Sequence, residues 1–207
     1  MENGGDIKNA EKSKQAQNAA KETVIAPMER TMAVDTWVWG TERILWGFEP
    51  QHQYTFKVLE PKVGSAGCMS LQYHHEKSES WLVLRGEIWA LFIVDGKVCT
   101  RIMRPRDGQH IIPGVIHRLA GISADAQMLE PSTPDRHAAD KSVPKDVVRL
   151  HCVHGRECVL GRNAEEVALI DESIGVTISA MAAIAAGSPP AEINTDILAR
   201  FGAFNLS

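Results

Sequence analysis

The spacing of hydrophobic positions changes twice along this chain. From Met1 to about Glu22 the residues are mainly Asn, Lys, Gln, Glu and Ala with almost no large apolar side chain. Burial there cannot offset the entropy of ordering, so a flexible arm is expected, although Ala19, Ala20 and Lys21 are helix formers that leave a docked helix open. From Thr36 to about Glu130, short apolar runs are broken by Gly, Pro and Asp, which suits closely spaced strands. The expected strands are 43–45, 54–59, 69–74, 81–84, 88–94, 98–103, 110–112, 117–120 and 127–130. Asp95-Gly96 between two of them is a hairpin signal, because both residue types tolerate positive φ. Many short strands with tight turns indicate a closed barrel or a two-sheet jelly roll. After Pro131 the chain turns polar, and from Ala164 to Ala186 Val167, Ile170, Ile174, Ile178 and Met181 recur at helical spacing. One or two helices ending near Gly187 are expected, covering the barrel or a second subunit. The reading is therefore an all-β core at 36–156, a flexible N-terminal arm at 1–35 and a helical C-terminal segment at 157–207.

Composition narrows the partners. A formal net charge of −4 and a pI near 6.1 leave no clustered Lys and Arg for nucleic acid or an anionic membrane, so small molecules are the expected partners. Cys68, Cys99, Cys152 and Cys158 are irregularly spaced, which argues against a disulfide framework. With a polar N-terminus and no run of about 20 apolar residues, the expectation is a soluble, cytoplasmic protein. Exposed sheet edges predict a homodimer.

The candidate chemistry lies in GCMSLQYHHEKSESWLVLRG, from Gly67 to Gly86, and IIPGVIHRL, from Ile111 to Leu119. Residues i and i+2 of a strand share a face, so Gln72 and His74 point one way and Leu71 and Tyr73 the other. The turn at Glu76, Lys77 and Ser78 can fold Glu79 back beside His74, and His117 arrives from a later strand. Two imidazoles, a carboxylate and an amide oxygen suit one divalent ion such as Zn, Mn, Fe, Co or Ni.

Glu79 with six residues before Gly86, and Gly114 with two before His117, resemble parts of the two cupin motifs. More narrowly, SLQYHHEKSESW resembles the cupin domain of type II mannose-6-phosphate isomerases, where Gln-x-His replaces His-x-His. Trp39-Gly40, Lys57, DVVRL from Asp146 and Gly155-Arg156 agree with it, over roughly Trp37 to Arg156. The resemblance implies a jelly-roll barrel, the double-stranded β-helix, with Gln72, His74, Glu79 and His117 as ligands. It departs where the family has a third His followed by Arg and this chain has Glu76-Lys77, and where Ile112-Pro113-Gly114 replaces Pro-x-Gly.

That resemblance implies an isomerase or epimerase acting on a sugar or sugar phosphate. Glu130, Lys57 and His110 are the candidate bases, and Arg118, Arg149 and Lys145 the candidate phosphate ligands. A non-haem Fe(II) oxygenase and a non-catalytic binding module are the competing functions, because one barrel hosts many chemistries. Each residue also has a plainer reading. Glu130 and Arg118 fit ion pairs, Trp37, Trp39 and Trp46 fit a core rather than a sugar platform, and His75 is out of phase with the ligands. The cluster His151, Cys152, His154 and Cys158 lacks a partner pair at finger spacing and reads as a strand or loop with buried thiols.

Overall fold

The computed structural model describes residues 33–47, 51–134 and 136–206. Its strands are β1 (Ala33–Trp37), β2 (Gly40–Trp46), β3 (Thr55–Pro61), β4 (Leu71–His74), β5 (Glu79–Arg85), β6 (Ile88–Val94), β7 (Lys97–Met103), β8 (Asp107–Ile111), β9 (Ile116–Gly121), β10 (Gln127–Ser132), β11 (Val147–His151) and β12 (Ala203–Asn205). Its helices are α1 (Arg136–Ala139), α2 (Ala164–Ala185) and α3 (Thr195–Arg200). Two antiparallel sheets, ordered β1-β2-β3-β10-β5-β8-β12 and β11-β4-β9-β6-β7, face each other as a jelly roll. Asp95 and Gly96 both have positive φ, 50° and 66°, and turn β6 into β7 as their chemistry requires.

Strand alternation sorts the side chains into two cores. Trp81, Val83, Ile88, Ala90, Phe92 and Leu119 pack inside the barrel. Leu71, Tyr73, Trp89, Leu91, Ile116 and Ala120, from the other face of the five-stranded sheet, pack with Ile170, Met181 and Ile184 of α2. By length and composition alone α2 could cross a bilayer, yet its apolar stripe is spent on that sheet. Asn163 caps it by accepting from Glu166 N at 2.9 Å, and Gly187, at φ 71°, ends it.

The strand expectations hold for the barrel, with boundary shifts of a few residues, and three strands lie outside the expected ranges: β1, β11 and β12. Of the expected arm, residues 1–32 lie outside the described residues, and 33–35 belong to β1. The segment 157–207 is not purely helical. After α3 seats Ile197 and Leu198 in the barrel core, β12 pairs with β8, so this segment closes the side between β7 and β8.

Candidate metal centre

β4, β5 and β9 present His74, Glu79 and His117 to the barrel interior, where one ligand atom from each lies within 4.8 Å of the others. All three are buried. His117 Nε2 faces Glu79 Oε1 at 3.3 Å, and His74 Nε2 faces Glu79 Oε2 at 3.8 Å. Gln72 lies directly opposite His117 in the β4–β9 ladder and lines the same cavity, as its i, i+2 relation to His74 requires.

The second nitrogen of each ring tells how the first is prepared. His117 Nδ1 donates to the Val115 carbonyl at 2.9 Å, which leaves Nε2 as a bare lone pair. His74 Nδ1 lies 3.5 Å from Asp146 Oδ2. Asp146 is itself held by the backbone N–H groups of His75, Glu76 and Lys77, at 3.0, 3.0 and 2.9 Å. Burial pushes the His74 imidazole down to about 4 and lowers that of His117 as well, so both rings are neutral at pH 7. Neither Nε2 has a hydrogen-bond partner among the described residues. Two buried imidazole nitrogens converging on a buried carboxylate are nitrogen and oxygen donors of the kind that suit a divalent ion.

Around this centre opens a cavity of ≈ 550 Å³. Glu130 is buried in its wall, and Lys77 Nζ donates to Glu130 Oε1 at 2.7 Å and reaches Glu79 Oε2 at 2.5 Å. Burial raises the Glu130 carboxyl above its ordinary range, with the Glu79 charge adding to it. Lys57 is opposite Glu130 in the ladder, but its ammonium is 2.5 Å from Glu42 Oε1, so it is a paired charge rather than a free base. Arg149 lines the cavity, opposite Gln72, and its side chain forms no hydrogen bond or ion pair among the described residues. Burial lowers its pKa, as does the neighbouring Arg156 guanidinium. Among the described residues Arg156 has no carboxylate partner; its side chain donates to Ser70 Oγ at 2.7 Å and to Cys152 Sγ at 3.3 Å. Lys145 is exposed at the rim. Trp37 and Trp39 also line the cavity, Trp39 buried and Trp37 exposed.

Two expected site residues belong elsewhere. His110 stands between the inward Gln109 and Ile111 and therefore points out; it is exposed and lies 2.9 Å from Ser80 Oγ. Arg118 follows His117 in β9, and although it borders the cavity its guanidinium reaches the other way. It is fully buried under α2, donating to Thr177 Oγ1 at 3.0 Å and to the His151 carbonyl at 2.9 Å. The His/Cys cluster forms no second metal group among the described residues, and its thiols are not buried, since Cys152 is half-buried and Cys158 exposed. Asp146, Lys77 and Arg156 were not assigned roles from sequence. The Asp-x-Val-Arg run held a signal for Asp146, whereas nothing in the spacing marks Lys77 as inward-facing.

Fold and centre together define a two-sheet jelly-roll barrel whose interior donor set could hold a divalent metal. No protein-family model matches the chain, and no curated protein matches it. Among solved structures it is similar to CapF with the inhibitor 3-isopropenyl-tropolone, at 15% identity and TM-score 0.47, over 59% of this chain and 35% of that one. It is also similar to oxalate decarboxylase from Bacillus subtilis at pH 4.6, at 13% identity and TM-score 0.45, over 57% of this chain and 30% of that one. The chain thus spans about a third of the length of the solved chains it matches.

Proposed function

We propose that this protein is a metal-dependent isomerase or epimerase acting on a sugar or sugar phosphate. The observation that carries the reading is one cavity holding a buried His74–Glu79–His117 donor set, the buried carboxylate of Glu130 and the guanidinium of Arg149, which has no ion pair among the described residues. His74, Glu79, His117 and Gln72 would hold the ion, which when bound supplies Lewis acidity to a carbonyl and its neighbouring hydroxyl. Glu130, raised by burial, is the group that moves the proton between adjacent carbons. Lys77 orients its carboxylate, and Lys57 holds Glu42 at the next strand. Arg149 and Lys145 take the substrate's anionic end, with Arg156 beside them; Arg118 borders the cavity but its guanidinium is engaged by Thr177 and His151, and His110 lies on the outer face.

The test is a screen of aldose and ketose phosphates by NMR in deuterated buffer, under nitrogen, with Zn, Mn, Co, Ni or Fe(II) supplied singly. Interconversion with deuterium entering the carbon next to the carbonyl is expected, and Glu130→Gln should lower kcat by about 10²- to 10⁴-fold. Oxygen consumption that requires Fe(II), without isomerisation, would transfer the site to the oxygenases. Ligand-induced stabilisation with no product would make it a binding module.

A further inference from the structure

Glu79 and Glu130 reach the same buried space from β5 and β10, and one side chain answers both. Lys77 Nζ is 2.5 Å from Glu79 Oε2 and 2.7 Å from Glu130 Oε1, with side-chain exposures of 11%, 2% and 8% for Lys77, Glu79 and Glu130. Two buried carboxylates this close together call for a shared cation, and Lys77 stands between them. The oxygen that Lys77 approaches is the one that faces His74 Nε2. An ion held by His74, Glu79 and His117 would claim that carboxylate while standing beside a fixed positive charge. Glu130 is outside the donor group and offers the ammonium another seat.

We propose that Lys77 and the metal compete for Glu79, with Glu130 the carboxylate onto which Lys77 withdraws, so that the Lys77–Glu130 pair sets the affinity of the centre. The proposal rests on the metal reading above. The anchoring of the loop supports it. Lys77 N donates to Asp146 Oδ2, the atom that also stands 3.5 Å from His74 Nδ1. The loop that carries the lysine is thereby fixed by the same carboxylate that stands beside the histidine.

Calorimetric titration of the chelator-stripped full chain with Zn(II) and Mn(II) tests this in wild type, Lys77→Met, Glu130→Gln and the double variant. Removing a like charge a few ångströms from the ion should tighten binding by at least about tenfold in Lys77→Met. Glu130→Gln should weaken it, because the ammonium then keeps to Glu79, and that loss should largely vanish in the double variant. A second readout needs no titration: stripped Lys77→Met should melt below stripped wild type, and added Zn should raise its Tm by more than it raises wild type's. Lys77→Gln carries the same test if the Met variant does not fold. Unchanged or weaker binding in the charge-removing variant would overturn the competition and leave the metal centre standing. Failure of all four proteins to bind any ion would overturn both.

Discussion

Cys152 acquires its chemistry from the loop that follows it. Burial disfavours its thiolate, but Arg156 Nε donates to the sulfur at 3.3 Å, and the backbone N–H groups of Arg156 and His154 and the Ser70 hydroxyl add to it. The balance brings the thiol down to about 7, whereas burial raises Cys68, Cys99 and Cys158. A lowered pKa places the thiolate at neutral pH, so alkylation should accelerate as pH rises through about 7 and slow below it. Peptide mapping after brief iodoacetamide treatment should find Cys152 modified first, and Arg156→Gln should move the midpoint upward. Preferential labelling of Cys158 would contradict this account. Arg118 gives the opposite lesson, a charge consumed by structure. Among the described residues it has no carboxylate partner; its two terminal nitrogens donate to Thr177 Oγ1, the His151 carbonyl and His151 Nδ1, while its buried Nε has no partner there. Thr177→Val leaves one of those donors unmet in a sealed space, at a cost of about 1–3 kcal/mol measurable by urea unfolding, with metal affinity unchanged because His117 faces the other way.

At the scale of elements, what was legible from sequence followed from period-two alternation, and what was missed lay where alternation has nothing to show. Gln72 and His74 share the interior face because Leu71 and Tyr73 pack under α2. The same rule, applied one residue past His117, excludes Arg118, and applied between Gln109 and Ile111 it excludes His110. β1 escaped notice because all five of its residues are exposed, so AVDTW carries no buried face. β12 escaped because three residues are too few for a pattern. Its place is decided by Gly108 on β8, where an added Cβ would lie 2.0–2.6 Å from the Phe204 ring. Gly108→Ala should therefore push that ring, and with it β12, off the sheet edge, costing about 1–3 kcal/mol as other overpacked contacts do. Hydrogen exchange would register the change as faster exchange at 203–205, with the β4–β9 ladder unaffected. Slow exchange there in the variant would mean that β12 is held by its backbone bonds alone.

Across the whole molecule, the donor set spans both halves of the jelly roll. His74 and His117 come from the five-stranded sheet and Glu79 from the seven-stranded one. An ion bound by all three would join the sheets at a point where Trp81 already packs on His117 and donates to Glu79 Oε1 at 3.2 Å. The unfolded chain scatters these side chains and binds the ion far more weakly, so metal affinity becomes folding stability. At a free metal concentration about 100 times Kd the gain is about 2.7 kcal/mol. For a domain of this size, that corresponds to a rise in Tm of roughly 5–10 °C. Differential scanning calorimetry of the stripped protein with each of Zn, Mn, Fe(II), Co and Ni should show such a rise for at least one ion, reversed by chelator. His117→Ala should abolish it, and His110→Ala, on the outer face of β8, should retain it. A rise that survives His117→Ala would place the binding elsewhere on the surface, and no rise with any of the five ions would remove the metal from the function altogether.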